Sequence, residues 1–172
     1  MATEEKLELF KKKYEELSKR YGLPDFRFMN ENFEIESLAE EETDILIRKI
    51  RKNISERIVS LIRLLEAFQN PSNSPMFIFN IIKSFNEEDK EKIAQLYKKL
   101  NEYDIEIFSL DVEYNEEKEV SFIKKFCESW KDVQLGLKNI EKAMRKSSGI
   151  QGKAKERSYF GQLAKKLVYI YF

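Results

Sequence analysis

The sequence predicts an all-α protein, built as an elongated antiparallel bundle of about five or six helices. The chain has only five glycines and three prolines among its 172 residues, which leaves few places for turns. Several long segments repeat apolar residues at every third or fourth position, which is the period of an amphipathic helix. Short connections between long helices favour antiparallel neighbours. We therefore expect long helices packed side by side around one core.

The first helix is predicted to begin near Thr3 and to end at Gly22. Its apolar residues follow a spacing of three or four: Leu7, Phe10, Tyr14, Leu17 and Tyr21. A glycine followed by an apolar residue and Pro24 is a typical helix stop. Beyond it, Asp25 could cap a short helix, whereas residues 32–38 alternate weakly, as a strand would.

The second long helix is predicted from about Glu40 to Gln69, where the segment "NPSNSP" begins a loop. Ser74 and Pro75 are suited to the cap and first position of a short helix over "PMFIFNIIKSF". Since this segment is so apolar, we expect it to be buried.

The segment after Asn86, the predicted cap of the next helix, contains two competing patterns. Residues 104–114 alternate in part, as in a strand, but they also continue a spacing of three or four that begins at Ile93. The longer match favours a helix to about residue 110. The alternative is an α+β fold, with a small two-strand ribbon formed by residues 32–38 and 104–114.

The last third of the chain predicts one long helix, a short linker over residues 147–152, and a basic amphipathic helix over residues 153–171. Burying the large apolar side chains of this last helix would contribute on the order of 10 kcal/mol before entropy. The bundle itself, a partner protein or a membrane surface could cover them, and the bundle is the preferred cover. We expect residues 1–172 to form a single helical domain.

Composition argues against several kinds of chemistry. The chain contains no histidine, which excludes His-based catalysis and nearly every zinc site. Cys127 is the single cysteine, and we expect it to be a small core side chain. The acidic clusters, including Asp111, Glu113, Glu116 and Glu117, are interpreted as solvated charges near helix starts. No catalytic, cofactor-binding or metal-binding residue is assigned, no cofactor is implied, and no small-molecule substrate is evident.

Two basic segments are candidates for contacts with a partner or with phosphate groups. The first lies within "RKIRKN", and the second is the carboxyl-terminal segment, where seven bases face one acid over residues 145–172. The candidate residues are Arg48, Lys49, Lys52, Lys153, Lys155, Arg157, Lys165 and Lys166. Lysines and arginines equal the acids at 31 each, so the whole chain has no net field that would attract nucleic acid.

Three patches resemble small uncharacterised helical proteins of archaea: "YGLPDF" with "NENFEIE" in residues 21–36, "NPSNSP", and "FNEEDKEKI" in residues 85–93. The resemblance includes no catalytic motif and implies no activity.

The sequence therefore favours a non-enzymatic interaction or assembly subunit that works through an exposed helix face and could form a homodimer. One alternative is a nucleic-acid- or ribosome-associated protein that uses the two basic segments. A metal-dependent hydrolase built on the acidic clusters is a third hypothesis. With no signal peptide evident and a single cysteine, we expect the cytoplasm as its location.

Overall fold

The structure is a computed structural model that describes residues 4–40, 43–70, 76–83 and 85–147. Within these ranges the chain forms helices and no strand, so the all-α prediction is confirmed. The α-helices are α1 (Glu4–Tyr21), α2 (Phe26–Phe33), α3 (Leu46–Gln69), α4 (Met76–Lys83), α5 (Glu87–Val112) and α6 (Glu116–Ser147), and a 3-10 helix spans Ile35–Glu40.

The end of α1 and the start of α2 are fixed by local backbone chemistry. Gly22 has a positive φ of 64°, and the N–H of Leu23 donates to the carbonyl of Ser18 at 3.2 Å. Only glycine adopts this left-handed conformation without a steric penalty. Asp25 then caps α2, since its carboxylate accepts a hydrogen bond from the N–H of Phe28 at 2.8 Å. The predicted stop and cap are both confirmed.

Asparagine side chains begin the two longest helices. The side-chain oxygen of Asn86 accepts from the N–H of Asp89 at 2.8 Å, which confirms it as the cap of α5. Asn115 does the same for α6 through the N–H of Lys118 at 3.0 Å. Because only residues 113–115 connect the two helices, this second cap fixes where the chain turns.

The chain packs as two compact units, each made of two separate stretches. Unit 1 comprises Met1–Arg57 and Ile105–Ser129, and unit 2 comprises Ile58–Asp104 and Trp130–Phe172. The core of unit 1 includes the buried side chains of Phe10, Tyr14, Met29, Phe33, Ile35, Ile47, Ile50, Ile54, Phe122, Ile123 and Phe126. That of unit 2 includes Ile58, Leu61, Leu65, Phe68, Phe85, Ile93, Leu96, Leu100, Trp130, Val133 and Ile140.

Aromatic and sulfur-containing side chains fill much of unit 1. The rings of Phe33 and Phe126 lie 6.0 Å apart, and Cys127 Sγ lies 3.7 Å from Met29 Sδ. Burial raises the pKa of the Cys127 thiol to about 12, because a thiolate is poorly solvated there. The prediction that Cys127 is a small core side chain is confirmed.

Unit 2 contains a close approach between α5 and α6 at a glycine. A methyl group added at Gly136 would lie 3.1 Å from Leu96 Cδ2, which is tighter than ordinary packing. In the same unit, the rings of Phe68 and Phe85 meet edge to face at 5.9 Å. Gly136 therefore allows α6 to pass Leu96 without displacing it.

The alternative two-strand ribbon is wrong. Residues 104–112 belong to α5, and residues 32–38 are divided between the end of α2 and the 3-10 helix. Ile107 is 6% exposed whereas Ile105 is 70% exposed. A strand would place these two side chains on the same face, and only a helix separates them in this way.

Two finer predictions also need correction. The helix expected from about Glu40 begins instead at Leu46, because residues up to Glu40 form the 3-10 helix. In α4, expected to be buried, Met76 is 74% exposed, and Phe79 is half-buried. The Lys83 ammonium lies 4.4 Å from the centre of the Phe79 ring, which is a cation–π contact within α4.

Some predictions fall outside the described residues. These are the Ser74 and Pro75 helix start, the linker beyond Ser147 and the helix over residues 153–171. The single-domain prediction for residues 1–172 stays a prediction.

Candidate interaction surface

Three large apolar side chains form an exposed stripe along the last two turns of α5. Ile105 is 70% exposed, Phe108 72% and Val112 73%. Their spacing of three and then four residues places them on one face of the helix. On the other face, Ile107 and Leu110 are buried at 6% and 4%. This part of α5 is therefore apolar on two faces, and the protein buries one of them. We call Ile105, Phe108 and Val112 the α5 stripe.

The charged residues in the sequence around the α5 stripe are all acidic. Residues 105–117 contain five carboxylates and no lysine or arginine. Glu106 is neutralised by Lys125, whose ammonium lies 2.7 Å from its carboxylate. Glu113, directly after Val112, is exposed and forms no ion pair with any described residue. The exposed end of the stripe is therefore next to a carboxylate that no described residue neutralises.

A buried arginine fixes the end of α5 to its neighbours. The Arg51 guanidinium, on α3, donates to Asp111 Oδ1 at 2.7 Å and to Glu119 Oε2 at 3.0 Å. Arg51 and Glu119 are both 0% exposed, while the Asp111 side chain is 48% exposed. We call Arg51, Asp111 and Glu119 the Arg51 cluster. It connects three helices through one side chain.

The charge of Arg51 is maintained in spite of its burial. Burial by itself disfavours the charged guanidinium, but the hydrogen bonds to Glu119 and Asp111 outweigh that effect and raise the pKa of Arg51. A buried charge with this many partners is compensated. Ser55 adds a further contact, since its Oγ lies 3.5 Å from an Arg51 nitrogen.

Two tyrosines, Tyr21 and Tyr114, take part in the contacts of the α5–α6 turn. The Arg48 guanidinium carbon lies 5.3 Å from the centre of the Tyr114 ring, and Arg48 Nε is 3.9 Å from Glu119 Oε1. Glu116 accepts hydrogen bonds from the hydroxyls of Tyr21 and Tyr114. Desolvation, together with the hydrogen bond to Glu116, raises the pKa of Tyr114. The turn is thus held by α1 and α3 as well as by its own cap.

The predicted basic contact residues do not all face solvent. The Arg48 side chain is 22% exposed and turns toward Glu119 and Tyr114, Lys49 is half-buried, and Lys52 is exposed. The structure therefore does not present these three as one free basic patch. The other candidates, Lys153, Lys155, Arg157, Lys165 and Lys166, lie outside the described residues.

Sequence reasoning missed the Arg51 cluster, although the pattern contained a signal. Arg51 lies one and four residues after Ile50 and Ile47, which places it on the apolar stripe of α3. Glu119 likewise lies four residues before Ile123 on the buried side of α6. A charged residue at an apolar position of the helical repeat indicates a buried ion pair when a second one of opposite charge exists. The α5 stripe does not stand out in the sequence, because the spacing of three or four that favours a helix continues through Ile107 and Leu110 and leaves Ile105, Phe108 and Val112 outside that pattern.

A small cavity in unit 1 lies between α1 and the 3-10 helix. Its volume is about 130 Å³, and Lys6, Phe10, Lys13, Thr43 and Leu46 are among its lining residues. Sites for small organic ligands usually enclose roughly 300–1,000 Å³. The cavity is therefore too small for such a ligand.

Over residues 4–40, 43–70, 76–83 and 85–147, no three metal-ligating side chains come together as a metal site would require. No helix in these ranges has the length and apolarity to cross a bilayer.

Comparison of the chain with protein-family models, with curated proteins and with solved structures finds no match. The class that the fold defines is thus an all-α protein with an exposed apolar helix face, and the resemblance to archaeal proteins stays a prediction.

Proposed function

We propose that this protein is a non-enzymatic interaction or assembly subunit that binds another protein through the α5 stripe. The observation that carries the proposal is the exposure of Ile105, Phe108 and Val112, each at 70% or more, on one face of a regular helix. Single exposed apolar side chains are common, whereas the largest contiguous apolar patch on a monomer, about 300–600 Å², is often a functional surface.

The apolar area of the stripe is large enough to contribute substantially to the binding of a partner protein. Three large side chains with seven-tenths of their surface in water offer roughly 400 Å² of apolar area. At about 25 cal/mol per Å², covering it would contribute on the order of 10 kcal/mol before the costs of association. Phe108 lies at the centre of the stripe, where the residues that dominate binding energy are usually found.

The Arg51 cluster supports the proposal because it orders the surface in advance. Asp111, which Arg51 holds at 2.7 Å, directly precedes Val112 at the end of the stripe. A surface that is already ordered loses less entropy on binding, so more of the contact energy appears as affinity.

A photocrosslinking amino acid at position 108 tests the proposal in the cells that produce the protein. We expect a discrete crosslinked product with another protein. The matched control carries the same amino acid in place of Lys12, an exposed residue of α1. The proposal fails if position 108 gives no discrete product, or if position 12 gives the same products with equal yield.

The proposal keeps the cytoplasm as its location, with which a chain whose single cysteine allows no internal disulfide is compatible. The nucleic-acid alternative has weaker support, because Arg48 is already engaged by Glu119 and Tyr114.

A further inference from the structure

We infer that the occupant of the α5 stripe is a single amphipathic helix of a partner protein, whose apolar face is flanked by lysine and arginine. This inference rests on the proposed function and gives the chemistry of the partner. Three features of the surface carry it: its length, its area and its charge.

The length of the stripe fits one helix. Ile105 and Val112 are seven residues apart, which corresponds to about 10 Å along the axis of α5. An amphipathic helix presents its own apolar anchors at positions i, i+3 or i+4, and i+7, over the same distance. Three anchors on one helix can therefore interlock with three on the other.

The stripe by itself supplies less area than a stable dimer interface buries. A stable protein–protein interface buries about 800 Å² on each partner, whereas the stripe supplies roughly half of that. One helix laid across the stripe needs less surface than a second folded copy of the chain. The area therefore favours a helical segment over a globular partner.

Charge distinguishes a basic helix from a second copy. No lysine or arginine occurs between Ile105 and Glu117, and the last turn of α5 contains no basic residue. The carbonyl end of a helix carries partial negative charge, which basic side chains usually offset. Here the exposed carboxylate of Glu113 adds to it. Lys125 pairs with Glu106 and Arg51 pairs with Asp111, so Glu113 is a carboxylate here that lacks an ion pair among the described residues. A basic partner would supply a cation for it, whereas a symmetric copy would place Glu113 against a second carboxylate.

Two synthetic peptides test the inference with the full chain. The first is an 18-residue helix of leucine and lysine in an amphipathic pattern, and the second has glutamate in place of every lysine. Binding is measured by fluorescence anisotropy in 150 mM salt. We expect the lysine peptide to bind at least tenfold more tightly than the glutamate peptide.

Two variants show whether binding occurs at the stripe. Phe108→Ser leaves every charge in place, so we expect at least a tenfold loss of affinity for the lysine peptide if the stripe is the site. Glu113→Gln should lower the affinity of the protein for the lysine peptide severalfold. Glu15→Gln, at an exposed position of α1, should leave this affinity unchanged. If Phe108→Ser has no effect, the peptide adheres by charge alone and the inference is overturned.

Other outcomes separate the inference from the function it rests on. If both peptides bind equally and Phe108→Ser abolishes both, the basic partner is wrong and the proposed function stands. A dimer in analytical ultracentrifugation that Phe108→Ser dissolves would identify a second copy as the occupant and overturn the inference. A crosslink from position 108 to the chain's own residues 148–172 would overturn both proposals.

Discussion

Arg51 and Glu119 are 68 residues apart in the chain, yet their side chains meet at 3.0 Å with neither exposed to solvent. Each would be a costly buried charge without the other. The partly exposed carboxylate of Asp111 also contacts the Arg51 guanidinium, at 2.7 Å. This pairing fixes the start of α6 and the end of α5 to the second turn of α3, and it provides the frame on which the α5 stripe is displayed.

Removal of one member of the pair should destabilise the protein strongly. Glu119→Ala leaves the Arg51 guanidinium buried without its main partner, which costs about 3–5 kcal/mol in comparable pairs. Combining Glu119→Leu with Arg51→Met removes both charges and should recover much of the loss. Urea denaturation of the single and double variants measures this. A double variant no more stable than Glu119→Ala would contradict the compensation argument.

Phe108→Ser should leave stability almost unchanged, whereas Ile107→Ala, at the adjacent residue, should not. Phe108 is 72% exposed and Ile107 is 6% exposed. Truncation of a buried isoleucine typically costs about 2–5 kcal/mol, and an exposed substitution about 0.5 kcal/mol or less. Thermal denaturation of the two variants makes the comparison. A large loss with Phe108→Ser would show that the ring is covered within the protein and would remove the basis of the interaction surface.

Gly22→Ala should destabilise unit 1 by about 1 kcal/mol, because alanine resists the left-handed conformation. The cause is the φ of 64° rather than crowding, since the nearest atom to an added methyl group, Lys124 Nζ, lies at 3.4 Å. Asparagine tolerates the left-handed conformation better than alanine does, so Gly22→Asn should lower the stability of unit 1 by a smaller amount. Equal losses for alanine and asparagine, measured by chemical denaturation, would point to sterics instead.

Alkaline pH should lower the free energy of unfolding of the protein, because the Cys127 thiol is buried. Its pKa is raised from 9.0 to about 12 in the folded state, so above pH 9 the unfolded chain loses a proton that the folded chain retains. The contribution of this thiol to the free energy of unfolding is fully present below pH 9. It decreases by about 1.4 kcal/mol per pH unit above that, until the pH approaches 12. Burial also raises the pKa of Tyr14 above 10.0, which adds a second loss above pH 10.

The control for this pH dependence is Cys127→Ala, which lacks the titrating group. The unfolding free energy of this variant, followed from pH 7 to 11, should decrease less steeply above pH 9 than that of the unmodified protein. Parallel curves would show that the thiol titrates alike in both states.

Helix positions were largely predictable, because each depends on local information. Gly22, Asp25 and Asn86 act within one helical turn of their own position, and the seam through Leu96 and Leu100 continues without interruption. The sequence predicts the start of α3 six residues too early, since acidic residues before Leu46 are compatible with a helix and the competing 3-10 helix depends on tertiary packing.

The candidate surface was less predictable because it depends on which of the two apolar faces of α5 packs against the rest of unit 1. The spacing of three or four that begins at Ile93 includes Ile107 and not Ile105, but it does not show whether another part of the protein covers Ile105. The role of Arg51 depends on Glu119 and Asp111, which are distant in sequence. A pattern within one helix identifies Arg51 as unusual but does not identify its partners.

The division of each unit into two stretches has a consequence for synthesis on the ribosome. Unit 1 needs residues 105–129, so its first 57 residues have no complete core until most of the chain has emerged. Arg51 precedes Glu119 by 68 residues, which at about 5–20 residues per second is a delay of roughly 3–14 s. During that time the apolar side of α3 lacks its final neighbours. A pause in translation before Glu119 would prolong the exposure of this apolar side.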